Sequence, residues 1–310
     1  MKIFMVKTAH YCLFSFLLTI IFLMSQSLFA LGQCEYRIER VEQADPSAAL
    51  LYDVFSRDGL VKRFNIEVRR VDESEEQCAL QLRVRSEGAT RMKNSISQEL
   101  NYRLALVIEQ TQLQDGSVLM QFHDVAYYEL IKFAYQILIS GEQFVAPGIY
   151  QDTLLLELFD KNNGDVLLER RRMVVSAEVE SAARVSFAGT LGREQSVDFG
   201  ELVDGKKISP APLVVIQSTG NYGLSFSSEH KGVLRHQGNK EKWDIPYRAS
   251  LGGRVIDLRQ EKAVLKTIEP TKSSGLYLPL SLEVPVVGDK PPGTYSDVIH
   301  VVITPLEILF

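Results

Sequence analysis

Two aspartates occupy the same place in a short phrase that occurs twice in the chain. The phrase reads PGIYQD at 147–152 and PGTYSD at 292–297, so Asp152 and Asp297 stand 145 residues apart. Carboxylates can act as general acids or bases. However, no histidine lies beside either one, and a repeated aspartate favours a structural role. We expect each carboxylate to accept hydrogen bonds from nearby backbone donors, because an unpaired buried charge is costly.

Signatures of enzymes are missing from the rest of the sequence. It contains no GxSxG or HExxH motif, no phosphate-binding loop and no dinucleotide fingerprint. The segment 160–165 resembles a calcium loop, but Arg171 occupies the position where an EF-hand needs glutamate. That segment therefore predicts a hairpin turn. We expect the protein to be neither an enzyme nor the carrier of a metal or other cofactor.

The N-terminus predicts a secretory signal peptide over residues 1–30. Lys2 and Lys7 precede an apolar stretch from Tyr11 to Met24, and a small residue, Ala30, offers a cleavage site. An uncleaved membrane anchor is the alternative, although the apolar stretch is short for a membrane span. The sequence therefore predicts an exported protein.

Export changes the interpretation of the cysteines. Cys12 would leave with the signal peptide, so that Cys34 and Cys78 remain. Two cysteines in an oxidising compartment favour a disulfide. A metal site is the weaker alternative, because two thiols without nearby histidines are too few ligands.

Composition describes a globular, acidic protein. The 310 residues are 45% hydrophobic and 24% charged, with a formal net charge of −5. Loss of residues 1–30 removes two lysines and no acid, which leaves 32 basic and 39 acidic side chains and a net charge of −7. Such a surface repels phosphate, so we expect no nucleic-acid partner.

Alternating polar and apolar residues run through both halves of the chain. The run at 133–137 returns at 278–282 with the spacing of the repeated phrase, and Tyr102-Arg103 returns as Tyr247-Arg248. Short alternating runs separated by turn residues predict half-buried strands. The expected fold is all-β, with two tandem immunoglobulin-like β-sandwiches at 31–182 and 185–310.

The two copies differ after their last shared strand. In the first copy, a strand at 149–159 turns around and returns as a long final strand at 166–179. In the second copy, the matching strand at 294–304 is followed by Pro305 and five more residues, too few for a strand of that length. We therefore expect the C-terminal sandwich to lack its last strand and to expose an open edge. The residues expected along that edge are Tyr295, Ile299, Val301 and Ile303.

An open edge is a template for another chain. Only residues 31–33 precede Cys34 after the expected cleavage, so the chain is expected to receive a strand but to give none. Such a subunit would sit at one terminus of a linear fibre. The alternatives are that residues 306–310 cap the edge, or that the register is different.

This pattern resembles the spore coat protein U–like pilins of archaic (Csu-type) chaperone–usher pili, and its layout resembles their two-domain tip adhesin. The resemblance implies pilin-type sandwiches, a periplasmic chaperone, an outer-membrane usher, and an N-terminal donor strand from the next pilin subunit. It also implies attachment, biofilm formation and a place at the pilus tip on the cell surface. The matching segments are 80–82, Tyr102, 147–152, 197–200, 245–247 and 292–297.

The expected binding surface is an apolar loop at the free end of the first sandwich. An exposed apolar patch usually marks an interaction site, and the family resemblance favours contact with an abiotic surface or a host or matrix ligand. A core strand is the alternative for the part that alternates. The residues proposed for this tip are Leu113, Val118, Leu119, Met120, Phe122, Tyr127 and Tyr128.

Two further functions fit parts of the pattern. A periplasmic pilus-assembly chaperone also has two immunoglobulin-like domains, but it should complete both sandwiches itself. A secreted carbohydrate-binding β-sandwich protein would fold as a monomer without a pilus.

Overall fold

The computed structural model describes residues 34–43, 51–73, 78–107, 116–126, 129–189, 194–267 and 269–306. The expected signal peptide lies outside this range. Strands dominate the described residues, and a single turn of 3-10 helix occurs at Glu241–Trp243. No helix in the described ranges is long and apolar enough to cross a membrane. The predicted all-β fold is confirmed.

Strands of the N-terminal half form two layers around one core. One layer has the order β1-β3-β8-β6 and the other the order β7-β4-β9-β10, while β5 pairs with both β6 and β9 and β2 pairs with β10. Inward-facing residues of both layers, such as Phe133 on β8 and Leu156 on β9, belong to one buried cluster. The strands are β1 (Tyr36–Gln43), β2 (Leu51–Tyr52), β3 (Leu60–Arg70), β4 (Cys78–Ser86), β5 (Arg91–Lys93), β6 (Glu99–Leu106), β7 (Val118–Val125), β8 (Leu130–Ile139), β9 (Gly148–Asp160) and β10 (Val166–Val179).

The C-terminal half has its own layers and a second buried cluster. Its sheets have the orders β11-β13-β20-β17-β18, β19-β14-β22 and β16-β15-β21, and β12 pairs with β20. The strands are β11 (Ala183–Phe187), β12 (Lys206–Lys207), β13 (Leu213–Ser218), β14 (Tyr222–Ser228), β15 (Val233–His236), β16 (Ile245–Pro246), β17 (Arg248–Leu251), β18 (Arg254–Ile256), β19 (Ala263–Thr267), β20 (Leu276–Val284), β21 (Tyr295–Ser296) and β22 (Ile299–Pro305).

The two halves repeat one strand order. The layer β1-β3-β8-β6 corresponds to β11-β13-β20-β17, and β7-β4-β9 corresponds to β19-β14-β22. The sequence matches fall on equivalent strands, since 133–137 lies on β8 and 278–282 on β20. The internal duplication predicted from the sequence is therefore present in the strand pairing as well.

The predicted disulfide is confirmed. Cys34 and Cys78 are bonded, their Cα atoms lie 6.0 Å apart, and both residues are buried. Cys34 precedes β1 and Cys78 begins β4, so the bond joins the two layers of the N-terminal half.

Part of the expected apolar tip is a core strand instead. Val118, Leu119, Met120 and Phe122 lie on β7, where Val118 is fully buried opposite Val84 of β4. Met120 and Phe122 pack against the same core, and the Phe122 ring meets the Phe133 ring edge-on at 4.9 Å. The exposed-loop interpretation is wrong for these four residues, because their alternation places every second side chain against the opposite layer. Leu113, Tyr127 and Tyr128 lie outside the described residues.

Candidate functional site

Strands β9 and β22 occupy equivalent places but have different neighbours. Strand β9 pairs with β4 on one side and with β10 along the other, from Gly148↔Val179 to Asp160↔Val166. Strand β22 pairs with β14, and within the described part of the chain no strand pairs with its other edge. The segment expected as one strand at 294–304 is divided, since β21 pairs with β15 instead.

Inward residues of β9 differ in burial from their counterparts on β21 and β22. Tyr150, Leu154, Leu156 and Leu158 of β9 are all fully buried. Their counterparts 145 residues later are the four residues predicted to line the acceptor edge. All four pack against the second core, but each stays only half-buried: Tyr295, Ile299, Val301 and Ile303.

Strand β11 borders the same region from the other layer. Val185 and Phe187 are half-buried and pack against the second core. Cα atoms of β11 and β22 come within 8 Å of each other, yet no ladder joins these two strands in the described residues. Strand β11 was not among the elements of the site predicted from the sequence. Its signal was the short alternation ARVSF at 183–187, which follows a stretch of small and charged residues.

The corresponding region of the N-terminal half is closed by β10. The Ile38 backbone N–H on edge strand β1 donates to Glu169 Oε2 at 2.7 Å, and Arg171 Nη2 donates to the Ile38 carbonyl at 2.6 Å. Glu169 and Arg171 also form an ion pair at 2.8 Å. Side chains of β10 thus satisfy the edge of β1 while its backbone satisfies the edge of β9.

Each repeated aspartate accepts the same set of hydrogen bonds. Asp152 accepts from Ser86 Oγ at 2.5 Å, from the Gly88 N–H at 3.0 Å and from Tyr102 Oη at 2.6 Å. The prediction of backbone donors is confirmed, and two hydroxyl donors are added to them. The pKa of Tyr102 is raised, mainly by burial and also by the hydrogen bond to Asp152. The Tyr102 hydroxyl therefore keeps its proton and remains a donor.

The second copy reproduces these three hydrogen bonds, and there the His230 Nδ1 also lies 3.3 Å from Asp297 Oδ1. Asp297 accepts from Ser228 Oγ at 2.6 Å, from the His230 N–H at 2.9 Å and from Tyr247 Oη at 2.5 Å. The pKa of Tyr247 is raised for the same two reasons. An aspartate whose oxygens are occupied in this way anchors the end of β9 or β22 to the neighbouring turn.

A tyrosine fixes the start of each strand. Tyr150 Oη donates to the Ala146 carbonyl at 2.8 Å, and Tyr295 Oη donates to the Pro291 carbonyl at 2.7 Å. The intervening glycine has a positive φ in both copies, +142° and +153°, which side chains rarely tolerate. The corner hydrogen bond back along the chain is a device of immunoglobulin-like sandwiches.

Leu306, the last described residue, comes directly after β22 and bonds on the side of that strand that faces β14. Its backbone N–H donates to the Asn221 carbonyl at 2.8 Å, which continues the ladder between β22 and β14. Residues 307–310 lie outside the described range, so the capping alternative concerns those residues alone.

The free edge of β22 can offer backbone hydrogen bonds and apolar contacts to an added strand. Its half-buried residues alternate with the exposed His300, Val302 and Thr304. An unpaired strand with this alternation is suited to β-augmentation, in which main-chain bonds supply affinity and alternate side chains supply specificity.

Comparisons with known proteins give matches among solved structures. No protein-family model and no curated protein sequence matches. A chain of the CsuC–CsuE chaperone–tip adhesion subunit pre-assembly complex from the archaic chaperone-usher Csu pili of Acinetobacter baumannii is 15% identical, with a TM-score of 0.46 over 74% of this chain and 85% of that chain. The CupB6 tip adhesin of Pseudomonas aeruginosa is 10% identical, with a TM-score of 0.35 over 89% and 95%. CfaE, the adhesive subunit of CFA/I fimbria of enterotoxigenic Escherichia coli, is 10% identical, with a TM-score of 0.36 over 89% and 82%.

Proposed function

We propose that the chain is the tip adhesin of a chaperone–usher pilus and mediates attachment and biofilm formation. The observation that carries this proposal is the free edge of β22, set against the covered edge of the equivalent β9. The N-terminal domain, 31–182, closes itself and binds the surface or ligand. The C-terminal domain, 185–310, accepts the N-terminal donor strand of the next pilin subunit.

The donor strand runs between β22 and β11. It pairs with the backbone of β22, and its alternate side chains cover Ile299, Val301 and Ile303. In the closed N-terminal half, the equivalent strands β1 and β9 also come within 8 Å of each other with β10 in place, so an added strand on β22 is compatible with the present position of β11. Before insertion, a periplasmic chaperone holds the edge, because a free apolar edge promotes aggregation, and an outer-membrane usher exchanges the chaperone for the donor strand.

The asymmetry favours an adhesin over a pilus-assembly chaperone. A chaperone completes both of its sandwiches with its own strands. Here one half does so with β10, while β22 has one neighbour among the described residues.

The test is to supply a donor strand. A peptide with alternating apolar residues, or the same segment fused after Phe310, should convert an aggregating or chaperone-bound chain into a stable monomer. Hydrogen exchange should then slow at the amides of Val301 and Ile303 on β22, because the pairing register turns the alternate amides of that strand towards β14 already. A control peptide with charged residues at the apolar positions should have no effect. A cooperatively folded monomer that forms without any donor, and gains nothing from one, would contradict the proposal.

A further inference from the structure

The outer face of the layer β7-β4-β9-β10 carries four arginines in two rows. Register places Arg83 and Arg170 on either side of Glu157, and it places Arg85 and Arg172 on either side of Leu155. Rows along a strand are about 7 Å apart, and residues two strands apart are separated by about 10 Å. We call Arg83, Arg85, Arg170 and Arg172 the arginine patch.

A single buried carboxylate organises the patch. The Glu157 side chain is only 1% exposed, and it pairs with Arg83 at 2.7 Å, Arg85 at 3.2 Å and Arg170 at 2.8 Å. Burial raises the pKa of Glu157. Hydrogen bonds from Arg85 and Arg83 lower it by more than burial raises it, so the pKa lies below its ordinary value. Glu157 is therefore ionised at neutral pH, and it holds three guanidinium groups in place while neutralising one.

The patch keeps excess positive charge at the surface of an acidic chain. Its fourth member, Arg172, is 74% exposed and pairs with Glu87 at 3.1 Å. Four guanidinium groups face two carboxylates, a local charge of +2 on a chain whose formal charge is −5. Each guanidinium has five N–H donors. The bonds to Glu157 use Nε and Nη2 of Arg83, Nε of Arg85 and Nε of Arg170, and the bonds to Glu87 use Nε and Nη2 of Arg172. Further donors are left for a ligand.

We infer that the arginine patch binds an anionic polysaccharide through its carboxylate or sulfate groups. Guanidinium forks match such oxyanions in a bidentate way. Two rows of arginines fit a ligand that repeats its anionic groups along an extended chain. Double-stranded nucleic acid carries one charge per ~1.7 Å, and a net negative protein repels that density more strongly than the sparser charge of a polysaccharide. The patch lies in the N-terminal half, so this inference does not depend on the free edge of β22.

The experiment measures binding by the full chain, with a donor strand where solubility requires one. The probes are a heparin oligosaccharide, which carries sulfates, and a polygalacturonate oligosaccharide, which carries carboxylates only. Arg170→Gln together with Arg172→Gln should weaken binding about tenfold or more and should flatten its salt dependence. Arg57→Gln is the matched control, because Arg57 is 91% exposed and pairs with Glu142 at 3.6 Å outside the patch.

A second variant tests the same surface in the opposite direction. Glu87→Gln removes the acidic partner of Arg172, so it should tighten binding while the melting temperature stays unchanged. Binding of either oligosaccharide with these responses supports the inference, and the preferred probe identifies the anionic group. The inference is overturned if the folded chain binds neither probe, if Arg57→Gln weakens binding equally, or if duplex DNA is preferred to both.

Discussion

Strands β9 and β22 start from the same phrase and end in different environments. Both repeated segments have a positive-φ glycine, a tyrosine corner and an aspartate with three matching donors, although in the second copy these residues lie on or beside β21, ahead of β22. Strand β9 is then covered by β10, whereas β22 has a free edge in the described residues. The repeated motif thus positions the start of the strand, and the chain segment that follows the strand determines whether the sandwich is closed.

Coverage of the edge also sets how deeply the inward side chains are buried. Leu158 of β9 is fully buried, and its counterpart Ile303 of β22 is half-buried although it points into the core. The free edge therefore leaves apolar area exposed that an added strand could remove from water, at about 25 cal/mol per Å². In the proposed function, burial of this apolar area provides the free energy that favours addition of the donor strand.

The largest expected effect comes from truncating these two equivalent positions. Leu158→Ala and Ile303→Ala remove the same number of carbons. The first should lower the free energy of unfolding by about 2–5 kcal/mol, and the second by roughly 1 kcal/mol, because its side chain is already partly solvated. Urea denaturation measures both. Fluorescence of Trp243, the single tryptophan, follows the C-terminal half, and circular dichroism follows the whole chain.

A bound donor strand is the control for this pair. With the edge covered, the cost of Ile303→Ala should rise towards that of Leu158→Ala. Equal costs in the chain without a donor would mean that β22 is already covered.

The next largest effect should come from replacing the equivalent aspartate in each half. Asp152→Asn and Asp297→Asn each replace one acceptor oxygen by an N–H donor that faces hydroxyl groups. Each should destabilise its own half by about 2 kcal/mol, and the two costs should be similar because the donors match. Asp58→Asn, at an exposed aspartate, is the control. Unequal costs in the two halves would show that the free edge also weakens the corner.

Much of the fold was accessible from local patterns. Alternation predicted the strands, the offset of 145 residues predicted the duplication, and the final strand expected at 166–179 is β10 as observed. These features depend on near neighbours in the chain, such as glycine at a turn or apolar residues at every second position. Export and two cysteines were enough to predict the disulfide.

Features that depend on contacts between residues distant in sequence could not be predicted from the sequence. The alternation at 118–122 fits an apolar loop or a core strand, and only the pairing of β7 with β4 decides between them. The register of β4, β9 and β10 brings Arg83 and Arg170 to one carboxylate. A bulge between Leu167 and Glu169 shifts that register, and periodicity alone does not show where a bulge falls.

A smaller effect is expected from opening the closed half. Glu169→Ala removes the acceptor of the Ile38 N–H and the ion-pair partner of Arg171. The variant should lose about 1.5 kcal/mol and should self-associate more, because the edge of β1 becomes available. Thermal melting and light scattering measure the two changes. Glu178→Ala, an exposed glutamate on the same strand, should change neither. If Glu169→Ala stays monomeric, the backbone of β10 alone protects that edge.

The smallest expected effect is a difference in the pH dependence of stability, which comes from the different residues on the outer faces of β9 and β22. Glu157 of β9 corresponds to Val302 of β22, which is 53% exposed and opposite Ser225 rather than an arginine. Because arginine hydrogen bonds outweigh burial and hold the folded-state pKa of Glu157 below its ordinary value, its contribution is complete above the unfolded-state pKa. It is lost as the pH falls through the folded-state pKa. As the pH falls through the ordinary pKa of a glutamate and below it, Glu157→Gln should therefore flatten the acid destabilisation seen by circular dichroism and leave the Trp243 transition unchanged. An identical acid response in the variant would mean that the arginines do not stabilise the ionised carboxylate, and that the two outer faces are equivalent in this respect.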